Sequence, residues 1–166
     1  MIAAARGAGL AVLADIVPNH MAIDPAANVW WRDVLEHGRA SAFAGFFDID
    51  WAPVKDELAG KVLLPILARQ YGQALEGGEL QLDIDEGALV LRHGGTSLPV
   101  DPRTAVEVLG LDLDATVRPA GDPDLVELQS ILASLANLPA GVDGDPEHVT
   151  ARRRESDLAR RRLAQL

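Results

Sequence analysis

The sequence contains no cysteine, few aromatic residues and no long apolar run. None of its 166 residues is Cys, which excludes disulfides and thiolate metal sites and favours a reducing compartment. No apolar stretch approaches the roughly 20 residues that a membrane-spanning helix requires. The first residues lack the basic region and apolar core of a secretory signal. These absences predict a cytoplasmic protein that has no membrane partner.

Positive charge is also scarce over most of the chain. The net charge is −10, yet the last 16 residues hold six Arg against two acidic residues. The rest of the chain is therefore strongly acidic, which argues against a nucleic-acid partner because such a partner requires a positive field. We expect the arginine-rich end to form a solvated helix face with cations toward its C-terminus.

Apolar residues make up 48% of the chain, which is typical of a globular domain with a sizeable core. Residues 10–14 (LAVLA) form a continuous apolar run, and residues 15–20 (DIVPNH) follow it. An unbroken apolar run predicts a strand covered on both faces, as in a parallel sheet. Polar groups at the carboxyl end of such a strand face the crevice where ligands bind. Asp15, Asn19 and His20 are therefore candidate binding residues.

Two other interpretations of these three residues stay open. Asp, Asn and His are all possible metal ligands, but three ligands without a fourth are a weak signal, and we predict no metal. His20 could instead be a core histidine bonded to a backbone carbonyl. The remaining three histidines stand in no constellation and are expected at the surface or at helix ends.

Several separate stretches resemble one enzyme family. Residues 15–20 resemble the first signature of the α-amylase clan of glycoside hydrolases, which reads Asp-x-x-x-x-His with Asn before the His. Residues 28–38, 46–51, 61–67 and 135–139 resemble the maltooligosyl trehalose synthase family of that clan. In order and spacing, the resemblance covers nearly the whole chain.

The resemblance implies an isomerase that needs no cofactor. Such an intramolecular transglucosylase converts the reducing-end α-1,4 bond of a maltooligosaccharide into an α,α-1,1 (trehalose) bond. The implied fold class is α/β: a fragment of a (β/α)8 TIM-type barrel with an inserted mixed α+β subdomain containing a small antiparallel hairpin. In the clan, the residue matching His20 contacts the sugar whose bond is broken, and the residue matching Asp15 orders the floor of that site. The implied partners are the maltooligosaccharide and the missing remainder of the barrel.

The chemical step requires carboxyl groups that this sequence does not supply. Retaining glycosidic chemistry uses two carboxyl groups that flank the bond. The clan takes its nucleophile from a Gly-x-Arg-x-Asp context, which is absent here. We therefore assign no catalytic residue and expect the chain alone to be inactive. Two alternatives stay open: a non-catalytic carbohydrate-binding or structural remnant, and a fragment of another clan enzyme such as an amylase or glucanotransferase.

The large aromatic residues are concentrated in one segment. All three Trp and all three Phe lie between positions 30 and 51. Trp51, which follows Asp48 and Asp50, is a candidate for stacking on a sugar ring. Phe43, Phe46 and Phe47 are expected to form a satellite core, because buried Phe is the common case.

Turn and cap residues predict the remaining elements and the domain division. Residues 79–100 alternate apolar and polar around turns at 85–87 and 94–95, which predicts a hairpin and a further strand. Asp-Pro pairs at 122–123 and 145–146 predict helix starts. We divide the chain into the barrel helix end, strand and active-site loop (1–24), the inserted subdomain (25–121) and a helical segment (122–166).

Overall fold

The structure, a computed structural model, describes residues 2–11, 13, 15, 21–111, 121–139 and 145–166. These residues form six α-helices, one three-stranded sheet and short 3-10 turns at Gly38–Ala40, Ala44–Phe46 and Asp56–Leu58. The helices are α1 (Ile2–Gly7), α2 (Val29–His37), α3 (Tyr71–Glu76), α4 (Thr104–Gly110), α5 (Pro123–Ala136) and α6 (Pro146–Leu163). The prediction of a chain that mixes helix and strand is confirmed at this level.

The sheet follows the turn residues closely. Strands β1 (Gln81–Asp85), β2 (Ala88–His93) and β3 (Thr96–Pro99) pair antiparallel in that order. Each two-residue turn has positive φ at both positions: 49° and 77° at Glu86 and Gly87, and 54° and 83° at Gly94 and Gly95. Turns of this kind match the twist of the strands, so the predicted hairpin and third strand are confirmed.

Residues with short polar side chains cap the N-termini of α2, α5 and α6. Asn28 Oδ1 accepts hydrogen bonds from the Trp30 and Trp31 amides at the start of α2. The Asp of each Asp-Pro pair accepts from the amide two residues on, which starts α5 and α6 as predicted. None of the described helices is both long and apolar enough to cross a membrane.

The core lies where β2 meets three helices. Leu89 of β2 packs with Ala105 of α4, with Ile131 and Leu135 of α5, and with Ala159 of α6. In the sequence, Leu125, Leu128, Leu132 and Leu135 recur at helical spacing, with Ile131 and Leu138 alongside, which predicts a leucine-rich stripe buried on one face of α5. The α5 residues of the core belong to this stripe. Complete burial of Ile131 stabilises the fold by roughly 2–3 kcal/mol through the area removed from water.

Helix α6 corrects the expectation of a solvated arginine face. Its buried residues are Arg152, Ser156 and Ala159, while Leu158 is largely exposed. Four of its six arginines form ion pairs with carboxylates elsewhere in the chain. The arginines of α6 therefore pair with carboxylates of the acidic remainder of the chain, and these ion pairs attract the helix to it.

The apolar run at 10–14 does not form the predicted strand at its described residues. Leu10, Ala11, Leu13 and Asp15 have neither helical nor strand structure, and Leu13 is 91% exposed. A strand requires a neighbour to bond with, and among the described residues the three strands pair with each other. Val12 and Ala14 lie outside the described residues.

Candidate functional site

The structure describes two of the four residues of the predicted sugar site, Asp15 and Trp51. Asp15 is exposed and belongs to neither a helix nor a strand. Asn19 and His20 lie outside the described residues, so their roles stay predictions. Trp51 is half-buried, and its carbonyl accepts a hydrogen bond from the Gly60 amide at 3.0 Å.

A patch of aromatic rings is the most distinctive surface of the described chain. The rings of Trp30 and Phe43 stack with centroids 5.5 Å apart and planes 15° apart, and Phe46 meets Trp30 at 5.5 Å in an edge-on contact. We call Trp30, Phe43 and Phe46 the aromatic patch. Trp31 turns inward and packs on Phe47 at 4.9 Å.

The satellite-core prediction is wrong for Phe46. Phe43 and Phe47 are partly buried, but Phe46 is 56% exposed, and Trp30 is 43% exposed. The 3-10 turn Ala44–Phe46 presents Phe46 on the outside, against the Trp30 ring. The sequence pattern pointed to Trp51 as a ring available to a ligand and did not point to Trp30, which is exposed. The helical period contained the signal, because burial of Trp31 and Val34 places Trp30 about 100° away on a neighbouring face of α2.

Polar contacts fix the aromatic patch to the rest of the molecule. Asp33 of α2 accepts a hydrogen bond from the Ser41 hydroxyl and pairs with Arg153 of α6. The Arg153 guanidinium lies 5.8 Å from the centre of the Phe43 ring, within reach of a cation–π contact. Arg153 therefore connects α6 to Asp33 of α2 and to the Phe43 ring in the segment that follows α2.

His37 lies at the end of α2, one of the two positions expected for it, but it is buried beside this junction and not at the surface. Burial lowers the pKa of His37 below its usual range, opposed by the Glu36 and Asp33 carboxylates and reinforced by Arg152 and Arg153. Its Nδ1 atom is buried and has no hydrogen-bond partner among the described residues. The native protein therefore favours the neutral imidazole.

We expect acid to destabilise the protein through His37. The unfolded chain binds a proton near pH 6.5, whereas the native chain resists it, so this stability contribution is present above pH 6.5 and is lost as pH falls toward the lower native pKa. Urea unfolding at pH 7.5 and pH 5.5 measures the change. His37→Gln should reduce the pH dependence, because glutamine at the buried position does not titrate. An equal dependence in His37→Gln would contradict this assignment.

A pocket of about 380 Å³ opens on the other side of α2. Trp31, Leu64, His93 and Thr96 are among its lining residues. The His93 ring nitrogens lie 3.1 Å from the Glu79 carbonyl and 3.2 Å from the Ile66 carbonyl. A neutral imidazole has one N–H and can donate to one of these carbonyls. Among the described residues that line this pocket, neither Asp15 nor Trp51 is present.

The described residues offer no obvious place for a metal ion. No group of three or more His, Asp or Glu side chains in the part of the chain that the structure describes is arranged to bind one.

Comparison with known proteins gives the class to which this chain is similar. The curated proteins that it matches are synthases by name. Two are "Putative maltooligosyl trehalose synthase" of Mycobacterium tuberculosis, strains CDC 1551 and H37Rv, each 44% identical over 102 residues. The match spans 60% of this chain but only 12% of each relative. No protein-family model and no solved structure matches the chain.

The similarity confirms the resemblance inferred from the sequence. The chain spans about an eighth of the length of the curated relatives that it matches. The activity named for those whole proteins is therefore assigned to this chain only as a proposal.

Proposed function

We propose that the chain supplies part of the catalytic domain of an intramolecular transglucosylase. This enzyme would convert the reducing-end α-1,4 bond of a maltooligosaccharide into an α,α-1,1 bond. The single observation that carries the proposal is 44% identity over 102 residues to proteins named for this activity. In the proposed architecture, residues 1–24 belong to a (β/α)8 barrel, 25–121 are an insertion and 122–166 are a helical segment.

The proposed roles of the predicted site residues follow their chemistry. Asp15, Asn19 and His20 would contact the sugar next to the reacting bond, with the imidazole and amide bonding to hydroxyl groups. Trp51 would stack on a sugar ring farther along the chain. The nucleophile and the acid–base carboxylate would come from elsewhere in the barrel, since no residue of this chain is assigned to either role.

We expect the purified chain to bind maltohexaose without converting it. The Trp51→Ala variant should bind about five- to tenfold more weakly, because loss of a stacked ring removes on the order of 1–1.5 kcal/mol. Tryptophan fluorescence titration measures binding, and chromatography of the sugar measures conversion. A trehalose-ended product formed by the chain alone would overturn the assignment of the reactive carboxylates to another part of the enzyme.

A non-catalytic carbohydrate-binding role is the second candidate. The exposed aromatic patch favours it, because such rings can bind sugar without any reactive group. The two candidates differ in one outcome. Only the transglucosylase role requires that the matched segment function inside a complete synthase.

A further inference from the structure

The aromatic patch leaves two adjacent rings, those of Trp30 and Phe46, exposed to water. Trp30 and Phe46 adjoin each other, and each leaves about half of its surface in water. Adjacent exposed aromatic groups with a polar rim are typical of interaction sites, whereas single exposed apolar residues need no explanation.

The patch is also held in a fixed arrangement. Phe43 contacts Trp30 on one side of the patch and the Arg153 guanidinium on another. Arg153 pairs with Asp33, and Asp33 accepts a hydrogen bond from Ser41. A surface ordered in advance loses less entropy when a ligand binds, so this network prepares the rings for a partner.

The chemistry of the rim selects the kind of ligand. Arg153 and Asp33 form an ion pair, so neither group is left as an unpaired charge beside the rings. The remaining N–H groups of Arg153, whose side chain is 42% exposed, can donate to neutral oxygen atoms. Flat apolar rings beside such donors fit a pyranose, which has an apolar C–H face and a rim of hydroxyl groups.

We propose that the aromatic patch is a glucan-binding surface, additional to the sugar contacts at Asp15, Asn19, His20 and Trp51. Its ligand is an α-1,4-linked glucose chain that packs on the exposed surfaces of Trp30 and Phe46 and bonds to Arg153. The choice of α-1,4 linkage rests on the proposed function. The existence of the surface rests on the rings and their polar support.

The three tryptophans allow a direct test by NMR. Their indole N–H signals, assigned by single Trp→Phe variants, are followed while maltohexaose is added to the whole chain. The Trp30 signal should shift and saturate. The Trp31 signal, from a buried ring, should not move. Phe46→Ala should weaken the Trp30 titration about tenfold, whereas Tyr71→Ala, which removes another exposed ring, should leave it unchanged.

The outcomes separate this inference from the proposed function. A static Trp30 signal overturns the inference, and so does a Trp30 shift on dilution without sugar, which would mean that a second copy covers the patch. An equal Trp30 response to cellohexaose overturns the assignment of an α-1,4 ligand. Movement of Trp51 alone leaves the proposed sugar contact in place while this second surface fails. Movement of Trp30 alone supports the patch and removes the role proposed for Trp51.

Discussion

Replacing Gly87 with alanine should lower the free energy of unfolding by about 3 kcal/mol. Gly87 has φ 77°, and a Cβ atom there would lie 2.1 Å from the Arg160 carbonyl oxygen and 2.8 Å from the Ala164 amide nitrogen. Both atoms belong to backbone at the end of α6, so they cannot move aside alone. The substitution must separate the β1–β2 turn from α6.

Gly95→Ala is the matched control. Gly95 occupies the same place in the second turn with φ 83°, but a Cβ atom there meets nothing within 4 Å. It should cost about 1–2 kcal/mol, from backbone strain alone. Urea unfolding followed by tryptophan fluorescence measures both variants. Equal losses would show that the close approach of α6 to the turn is not a constraint.

Replacing Arg152 with methionine should cost about 2–3 kcal/mol. Its side chain is 4% exposed and donates to the Pro139 carbonyl at 2.9 Å and to Asp101 Oδ2 at 2.8 Å. Methionine keeps much of the packing but leaves the carbonyl without this donor and Asp101 without its cation. Because Asp101 is 40% exposed, water compensates in part, and the loss stays below the largest values known for buried pairs.

Arg154→Met and Arg161→Met test whether the effect is specific to the buried position. Both residues are exposed on α6, so each substitution should change stability by less than about 0.5 kcal/mol. The same unfolding measurement applies. A loss in Arg152→Met that is no larger than in these controls would mean that the Asp101 contact does not hold α6 in place.

The sequence predicted elements whose cause is local. Two turns depend on residues that tolerate positive φ, and the starts of α5 and α6 depend on an Asp beside a Pro. Each of these signals acts within a few residues. The leucine-rich stripe of α5 was readable for the same reason, since its period alone identifies the buried face.

Elements decided by distant partners were not predictable in this way. The arginines of α6 resemble a solvated face until their carboxylate partners are known, and Arg153 and Asp33 are 120 residues apart. The run at 10–14 reads as a strand, but a strand depends on neighbours that no local pattern supplies. Burial of His37 also depends on α6, which packs over the end of α2.

The candidate site was predicted in part. Clustering of aromatic residues between positions 30 and 51 correctly indicated an aromatic region. Which rings face water depended on the turn after α2, so Phe46 and Trp30 could not be chosen from composition. The roles of Asp15, Asn19, His20 and Trp51 stay predictions for the titrations described above.

A hybrid enzyme provides the most direct test of the proposed transglucosylase. The matched segment of the mycobacterial relative is exchanged for the 102 matching residues of this chain. Product formation from maltohexaose is then compared with that of the unaltered relative. We predict that the folded hybrid forms the same trehalose-ended product as the relative. A folded hybrid that binds maltohexaose but yields no such product, beside an active relative, would contradict the account.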